Sequence, residues 1–483
     1  MFCTLLFLFV QAQVAERWID MKMQKKWMSI LDKVSFVLLC VLMADCCITG
    51  AGRLVEIGAW GGRMILFFLL GLSTLPTILS KWKVFLKNRF VQLLILFWGI
   101  LAIQAVRGVL VGNHRGILVT DVKGYIYFAM VPIAICVLNN KNRIHTLMKV
   151  MMYASFALGC VAIGYLVAYV VDIELFQKLA KFVVPQENTT TGMIAFTALK
   201  GKQLRVFCYS GLYLLSACAF SFYFMICEEK RKTHLWYCLI TAVSLLVLLI
   251  SFTRSVYFAV FVSVVTLVLL LLYCLGAELR AKGGRSMIFS ILIFAVLLTG
   301  ADAITGEGNL QYGITRILLT VESTNISTTP TEPSMGSNTE SNAEPSEPGY
   351  NQITLQSDQL RKLTVEEYKK HIRRNVFFGK GLGVYLECRD DGYGEYFYLD
   401  MIAKMGIVGL FSFLAPVLMC IFYMIDGVLK KKQNAILVGI WIVPLLGLMG
   451  FSYFNPYMNA ALGVLFYSLV IAVVSWYCEQ SKN

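Results

Sequence analysis

Charged side chains are scarce in this chain. Asp, Glu, Lys and Arg together make up 15% of its residues, where a soluble domain carries about a quarter. That shortage excludes an ordinary water-soluble enzyme and, with 58% hydrophobic residues, points to a chain that lives in a bilayer. A disulfide framework is also missing. Fourteen cysteines are present, but most, such as Cys40, Cys136, Cys160, Cys218, Cys274 and Cys420, lie inside apolar runs and read as small hydrophobes. Cys388 stands alone in the longest hydrophilic stretch, so no disulfide can form within that stretch. No zinc-ligand spacing occurs.

A nucleic-acid surface is disfavoured as well, despite a net charge of +14. The basic residues come in short clusters between apolar runs: Lys22, Lys25 and Lys26; Lys81, Lys83, Lys87 and Arg89; Lys141 and Arg143; Lys230, Arg231 and Lys232; Arg280, Lys282 and Arg285; Lys430, Lys431 and Lys432. Such clusters anchor the cytoplasmic side of a polytopic membrane protein.

What is present is a series of apolar runs long enough to cross a bilayer as helices, which takes roughly 17 to 25 residues each. About twelve are expected, centred near Leu38, Leu70, Leu96, Ala129, Leu158, Leu215, Leu245, Leu267, Ile293, Leu414, Val443 and Leu469. With Lys22–Lys26 inside, simple alternation places every basic cluster in the cytoplasm. Residues 50–63, 107–121, 172–207, 251–255, 305–396 and 451–459 then lie outside. The fourth span carries Asp121 and Lys123 at its start, which either pair in the bundle or sit at the interface. Met1–Val14 is apolar but too short to span, and Met21 or Met23 are alternative starts.

The expected organisation follows. Residues 1–27 form a cytoplasmic N-terminal segment and 28–304 a membrane bundle of nine spans. Residues 305–396 form one large extracytoplasmic loop, 397–477 three further spans, and 478–483 a cytoplasmic tail. Within the loop, Ser323–Gly349 is rich in Ser, Thr, Pro and Glu and has no basic residue. It cannot bury enough surface to offset its ordering entropy and reads as a disordered linker. Residues 357–375 differ: Leu360, Leu363, Val365, Tyr368 and Ile372 recur at helical spacing. They predict an amphipathic helix lying over the outer mouth of the bundle, or a surface helix without contact to substrate.

Four features could carry chemistry. Arg254 stands in Ser251-Phe-Thr-Arg-Ser255 between two apolar runs, where a guanidinium calls for an anion; the planar fork suits a diphosphate. Arg205 stands where an outside loop re-enters the membrane. Both also fit a plain role as interfacial anchors. Arg373-Arg374 lead into Val-Phe-Phe-Gly379-Lys-Gly381-Leu-Gly383, whose glycines allow a tight backbone and close approach to a ligand. It does not follow a strand and open a helix, so it is no nucleotide loop. Finally, Glu395 and Asp400 flank the start of the tenth span, and either could act as a general base. Asp390-Asp391 could hold a metal but read better as a solvated pair.

In this order on such a scaffold, these features resemble the O-antigen ligase/polymerase superfamily of bacterial envelope glycosyltransferases. Arg205-Val-Phe-Cys-Tyr-Ser-Gly211 is similar to that family's arginine-led stretch before a span, and Phe252-Thr-Arg-Ser255 to its arginine turn. Asn375-Val-Phe-Phe-Gly-Lys-Gly-Leu-Gly383 resembles its "nPlfGvGlG" signature, with Val376 where proline is usual. Tyr398-Leu-Asp-Met-Ile-Ala-Lys-Met-Gly-Ile-Val-Gly-Leu410 resembles "YLxxLAExGxxGL". Ligases of the family carry a histidine three residues before that tyrosine. Glu395 stands there instead, and none of the four histidines, His114, His145, His234 and His371, does.

The resemblance implies an all-α, GT-C-like polytopic protein of a bacterial cytoplasmic membrane with both termini inside. It implies an enzyme that polymerises polyprenyl-diphosphate-linked oligosaccharides into capsule, exopolysaccharide or O-antigen on the outer face, without metal or cofactor. Arg205 and Arg254 would hold the diphosphate. Glu395, or Asp400, would take the acceptor proton. Arg373, Arg374, Gly379, Gly381, Gly383 and Tyr398 would line the glycan path, with Tyr385, Tyr393 and Tyr396 able to stack on sugars. A flippase and a chain-length regulator of the same pathway would be partners, and nucleic acid would not. The alternatives are a ligase moving finished glycan to a lipid or protein, a secondary transporter, and a sensor.

Overall fold

The computed structural model describes residues 23–50, 56–57, 60–183, 193–198, 204–227, 231–274, 277–305, 308, 311, 350–389, 392–430 and 434–480. The Ser323–Gly349 stretch, Asp390-Asp391 and Met1–Val14 lie outside the described residues.

The chain is a helical bundle. In order it forms α1 (Met23–Ile48), strands β1 (Glu56–Ile57) and β2 (Trp60–Gly61), α2 (Gly62–Ser80), α3 (Trp82–Lys87), α4 (Arg89–Val111), α5 (Arg115–Ile126), α6 (Met130–Val137), α7 (Lys141–Val171) and α8 (Ile173–Val183). Then come β3 (Ile194–Ala198), β4 (Leu204–Cys208), α9 (Gly211–Cys227), α10 (Arg231–Ile250), α11 (Arg254–Cys274) and α12 (Ala277–Thr305). The last helices are α13 (Tyr350–Arg374), α14 (Phe397–Leu429), α15 (Ala435–Phe451) and α16 (Ala461–Gln480). The strands form two antiparallel hairpins, β1 with β2 and β3 with β4.

Each expected span centre falls inside an α-helix except Ala129, which ends the short 3-10 helix Tyr127–Ala129 joining α5 to α6. Among the described residues nine helices are long and apolar enough to cross a membrane, and α9 and α15 are shorter apolar helices. The protein is thus a multi-pass helical membrane protein by length and composition. Polar caps set several boundaries. Asn88 accepts from the Phe90 amide at the start of α4 (2.9 Å), and Asn140 accepts from the Arg143 amide at the start of α7 (3.0 Å). Gly112, at φ 79°, ends α4 in the left-handed conformation a side chain would resist.

The core lies around α9, α15 and α16, whose residues are almost all buried. Trp441, Phe220, Phe466, Phe413 and Tyr467 pack there. By contrast, α4, α11 and α14 keep apolar rows exposed, as lipid-facing helices do.

Contacts between connections sort the loops into two ends. At one end the Arg205 side chain bonds the 251–255 turn. Asn455 bonds Ser255 (2.6 Å), and Tyr457 donates to the Tyr209 carbonyl (2.6 Å). Asn113 and His114 bond the 380–383 backbone. At the other end Arg143 bonds Asp32, Asn88 bonds Ser475 (2.7 Å), and Arg89 meets Tyr423 (3.5 Å). The first set joins segments that alternation assigns to one side, and the second set joins segments at the opposite helix ends.

One helix differs from its expected form. Helix α14 is interrupted at Gly406, at φ 70° and ψ −174°. A short segment, 397–405, precedes the break, and residues 407–429 continue as about 34 Å of helix, enough for a bilayer core of about 30 Å.

Candidate functional site

The site is assembled at the end that holds the 251–255 turn. This turn is tight: Phe252 is fully buried with φ 43°, a conformation that costs a bulky side chain about 1–3 kcal/mol. Thr253 accepts from the Val256 amide through its carbonyl and donates its hydroxyl to the Ser251 carbonyl (2.8 Å), so the turn leads straight into α11. Arg205, on β4, grips the turn from the side. Its Nε donates to the Ser251 carbonyl (3.0 Å) and a terminal nitrogen donates to Thr253 Oγ1 (3.1 Å). Its guanidinium also lies 5.8 Å from the Phe207 ring.

Arg254 is the first residue of α11. Its charge lies at the positive end of the helix dipole, the end at which a helix favours anions. Two arginines far apart in sequence, both singled out from it, therefore converge on one strained turn.

The glycine-rich stretch is held by backbone on both sides. Gly379, Gly381 and Gly383 all have positive φ (66°, 95° and 85°). A Cβ on Gly381 would stand 2.5 Å from the Gly108 nitrogen on α4, and one on Gly379 would stand 2.4 Å from the Lys404 carbonyl carbon. The reason is the break at Gly406. The amides of Lys380 and Gly381 donate to the Ala403 and Lys404 carbonyls (2.8 and 2.9 Å). The amides of Ile407 and Val408 donate to the Val376 and Phe377 carbonyls (2.9 and 3.2 Å). Residues 376–381 thus restore the hydrogen bonds that an interrupted helix would leave unmade inside a membrane. On the other side Asn113 Nδ2 donates to the Leu382 carbonyl (2.9 Å) and the His114 amide to the Gly383 carbonyl (3.0 Å).

Beneath the stretch lies a buried ionic triad. Lys404 Nζ is 2.8 Å from Asp121 Oδ1 and 2.8 Å from Asp400 Oδ2. The Gly383 amide donates to Asp121 Oδ2 (2.9 Å), and the Tyr368 hydroxyl donates to Asp400 Oδ1 (2.9 Å). Four segments, α5, α13, α14 and the glycine stretch, are pinned by one lysine and two carboxylates. Asp121 is paired in the bundle, with Lys404 as its partner; Lys123 is exposed. Asp400 is buried and fully hydrogen-bonded.

Glu395 stands apart from the triad. Its carboxylate sits between Arg361 Nε (3.0 Å) and an Arg389 nitrogen (3.4 Å), and its side chain is 34% exposed. Arg389 also donates to Thr364 Oγ1 (3.1 Å). Nearby, Glu367 accepts from the Glu387 and Cys388 amides (2.7 and 3.1 Å). Burial works against its ionisation. Hydrogen bonds from the Cys388 thiol and these two amides, with His371 close by, outweigh burial and hold its carboxyl below the ordinary range. The described residues of the 385–395 segment, 385–389 and 392–395, are docked onto α13 by these contacts.

The remaining candidates are more dispersed. The Tyr398 hydroxyl donates to the Met449 carbonyl (2.8 Å), tying α14 to the last turn of α15. Arg373 and Arg374 are on the exposed face of α13. Tyr385 is exposed, with its ring 5.6 Å from that of His114. Among the described residues no group of three or more His, Cys, Asp or Glu side chains is placed to hold a metal ion.

Sequence reasoning missed Lys404, Asp121 as its partner, Gly406, Arg361 and Arg389. One signal was available: a lysine four residues after an aspartate in an apolar run, which on a helix places the two charges together. No family model matches the chain, and no curated protein matches it in sequence.

Proposed function

We propose that the protein is a membrane glycosyltransferase that joins polyprenyl-diphosphate-linked oligosaccharides, most simply a polysaccharide polymerase of a bacterial cytoplasmic membrane. The observation that carries this reading is the convergence of Arg205 and Arg254 on the 251–255 turn, at the same end as the docked 385–395 segment. A diphosphate bound there would meet two guanidinium groups, and the arginines would stabilise charge developing on it as it leaves. The sugar–phosphate bond breaks as the acceptor hydroxyl attacks the anomeric carbon, with inversion. Glu395 is the better base, because it is partly exposed whereas Asp400 is enclosed in the triad. Arg361 and Arg389 hold its orientation. The glycine stretch and Tyr398 support the wall of this site, and Arg373 and Arg374 take no part in the diphosphate grip. A flippase would supply the donor, and a chain-length regulator would limit the product.

The test is polymer length in cells carrying correctly inserted variants. Arg254→Ala and Arg205→Ala should each lower polymerisation by about 10²–10³; wild-type-length polymer from both would refute the diphosphate grip. Transfer to an unrelated lipid or protein, with no lengthening of lipid-linked chains, would instead indicate a ligase. A second reading, a secondary transporter, is favoured by one observation. Helix α14 is broken beside a buried carboxylate–lysine cluster, an arrangement transporters use. Solute uptake by proteoliposomes, unaffected by Arg254→Ala, would support it.

A further inference from the structure

Helix α13 turns a strongly basic face outward. Lys362, Glu366, Lys369, Lys370, Arg373 and Arg374 are exposed along it, so cations dominate that face. Thr364 and Tyr368 are buried on the opposite side against the 388–400 region. Among the described residues none of Lys369, Lys370, Arg373 and Arg374 is in an ion pair. Some basic character at a helix C-terminus suits the dipole, but that accounts for the last turn alone. The chain then runs directly into Phe377 and Phe378, which are 68% and 58% exposed.

The depth of this phenylalanine tip can be fixed from the backbone. The Val376 and Phe377 carbonyls cap the first amides of residues 407–429, the part of α14 whose length matches a bilayer core. The tip therefore lies level with the start of a membrane-crossing helix. Below it α14 exposes Phe411, Leu418, Phe422, Ile425 and Leu429 as a lipid-facing row. Beside it α4, whose Gly108 touches Gly381, exposes Val106 and Leu110. The phenylalanines continue that apolar belt at its upper rim. Arg374 precedes Phe377 by three residues, a reach of at most about 11 Å. The headgroup layer on each side of a bilayer is about 5–8 Å thick, and a long basic side chain can snorkel through the difference.

We infer that the outer face of α13 and the Phe377–Phe378 tip form a docking surface for anionic phospholipid headgroups. The phenylalanines enter the interface, and Lys369, Lys370, Arg373 and Arg374 lie over the phosphates. Charge complementarity selects the occupant: an apolar partner would leave four cations uncompensated, and a free polyanion would leave two phenylalanines in water. The surface is separate from the Arg205–Arg254 turn, and its occupancy does not depend on the polymerase reading.

The test uses the purified full chain in nanodiscs of phosphatidylcholine alone and of phosphatidylcholine mixed with phosphatidylglycerol. Hydrogen exchange is followed over residues 372–379. The phosphatidylglycerol discs should slow exchange at least about threefold at low salt, with most of the difference lost in 0.5 M salt, where the Debye length is about 4 Å. The combined variant Lys369→Gln, Lys370→Gln, Arg373→Gln, Arg374→Gln should abolish the difference, and Phe377→Ser with Phe378→Ser should speed exchange over these residues in both discs. Equal exchange of the native chain in the two lipids would overturn the proposal, whatever the variants do. Protection by added polygalacturonate in phosphatidylcholine discs, without protection by phosphatidylglycerol, would overturn it in favour of an acidic glycan.

Discussion

Lys404 is the residue on which the described end of the bundle turns. It is 4% exposed and compensates two buried carboxylates. Replacing it by methionine leaves Asp121 and Asp400 facing each other without a counter-charge, and breaking a buried ion pair in this way costs about 3–5 kcal/mol. Lys404→Met should therefore lower the unfolding midpoint sharply in detergent, measured by thermal aggregation or urea titration. Adding Asp121→Asn and Asp400→Asn to that variant should recover much of the loss, since the carboxylates then need no cation. A Lys404→Met protein as stable as the native one would show that the triad is not held as described. Gly381 allows a second test at the same scale. Alanine there meets a positive φ and the backbone of Gly108, so Gly381→Ala should cost at least about 1–3 kcal/mol.

At the scale of elements, the docking of the 385–395 segment onto α13 depends on ionised carboxylates. Glu367 has its carboxyl held below the ordinary value of 4.5. The sign follows from linkage. A depressed carboxylate contributes its stabilisation in full above the unfolded value, and loses it as pH falls through the folded value. Hydrogen exchange at residues 385–389, corrected for the intrinsic pH effect, should rise below about pH 4.5. In Glu367→Gln it should already be raised at neutral pH and should show no such step. Elements are also where sequence reading succeeded and failed most clearly. Apolar runs of spanning length sit in helices, because backbone polarity in a bilayer leaves little else for them to form. The amphipathic helix was legible too, though it begins at Tyr350 rather than near Ser357, and Leu363, counted with its apolar face, is exposed. The interruption at Gly406 was not legible. Its hydrogen bonds are completed by residues 376–381, a long-range arrangement that no local pattern announces. Backbone of Lys404 crowds Gly379, backbone of Gly108 crowds Gly381, and His114 and Leu118 crowd Gly383, whereas from sequence alone the three suggested close approach to a ligand. Arg205 and Arg254 could be singled out because isolated cations beside apolar runs are rare. Their meeting at one turn required the hairpin of β3 and β4.

For the whole molecule, the two-ended sorting of loop contacts gives the reading its decisive test. The turn of Ser251–Ser255, the glycine stretch, the 385–395 segment and the 451–459 connection share one end, and Asp32, Asn88, Arg143 and Ser475 share the other. Basic residues between spans favour the cytoplasm, and Lys81, Lys83, Lys87, Arg89, Lys141 and Arg143 cluster at the second end. The arginine turn should then face outward, where a lipid-linked donor is met after it has crossed the membrane. Tyr385 and Tyr453 are exposed at the first end, and Lys83 is exposed at the second. With an impermeant maleimide, Tyr385→Cys and Tyr453→Cys should label in intact spheroplasts, and Lys83→Cys only after permeabilisation, each read at its own peptide against the native cysteines. Labelling in the reverse pattern would place both arginines in the cytoplasm, on the side where such a donor is built rather than polymerised. The convergence of Arg205 and Arg254 would then need a different anion to explain it.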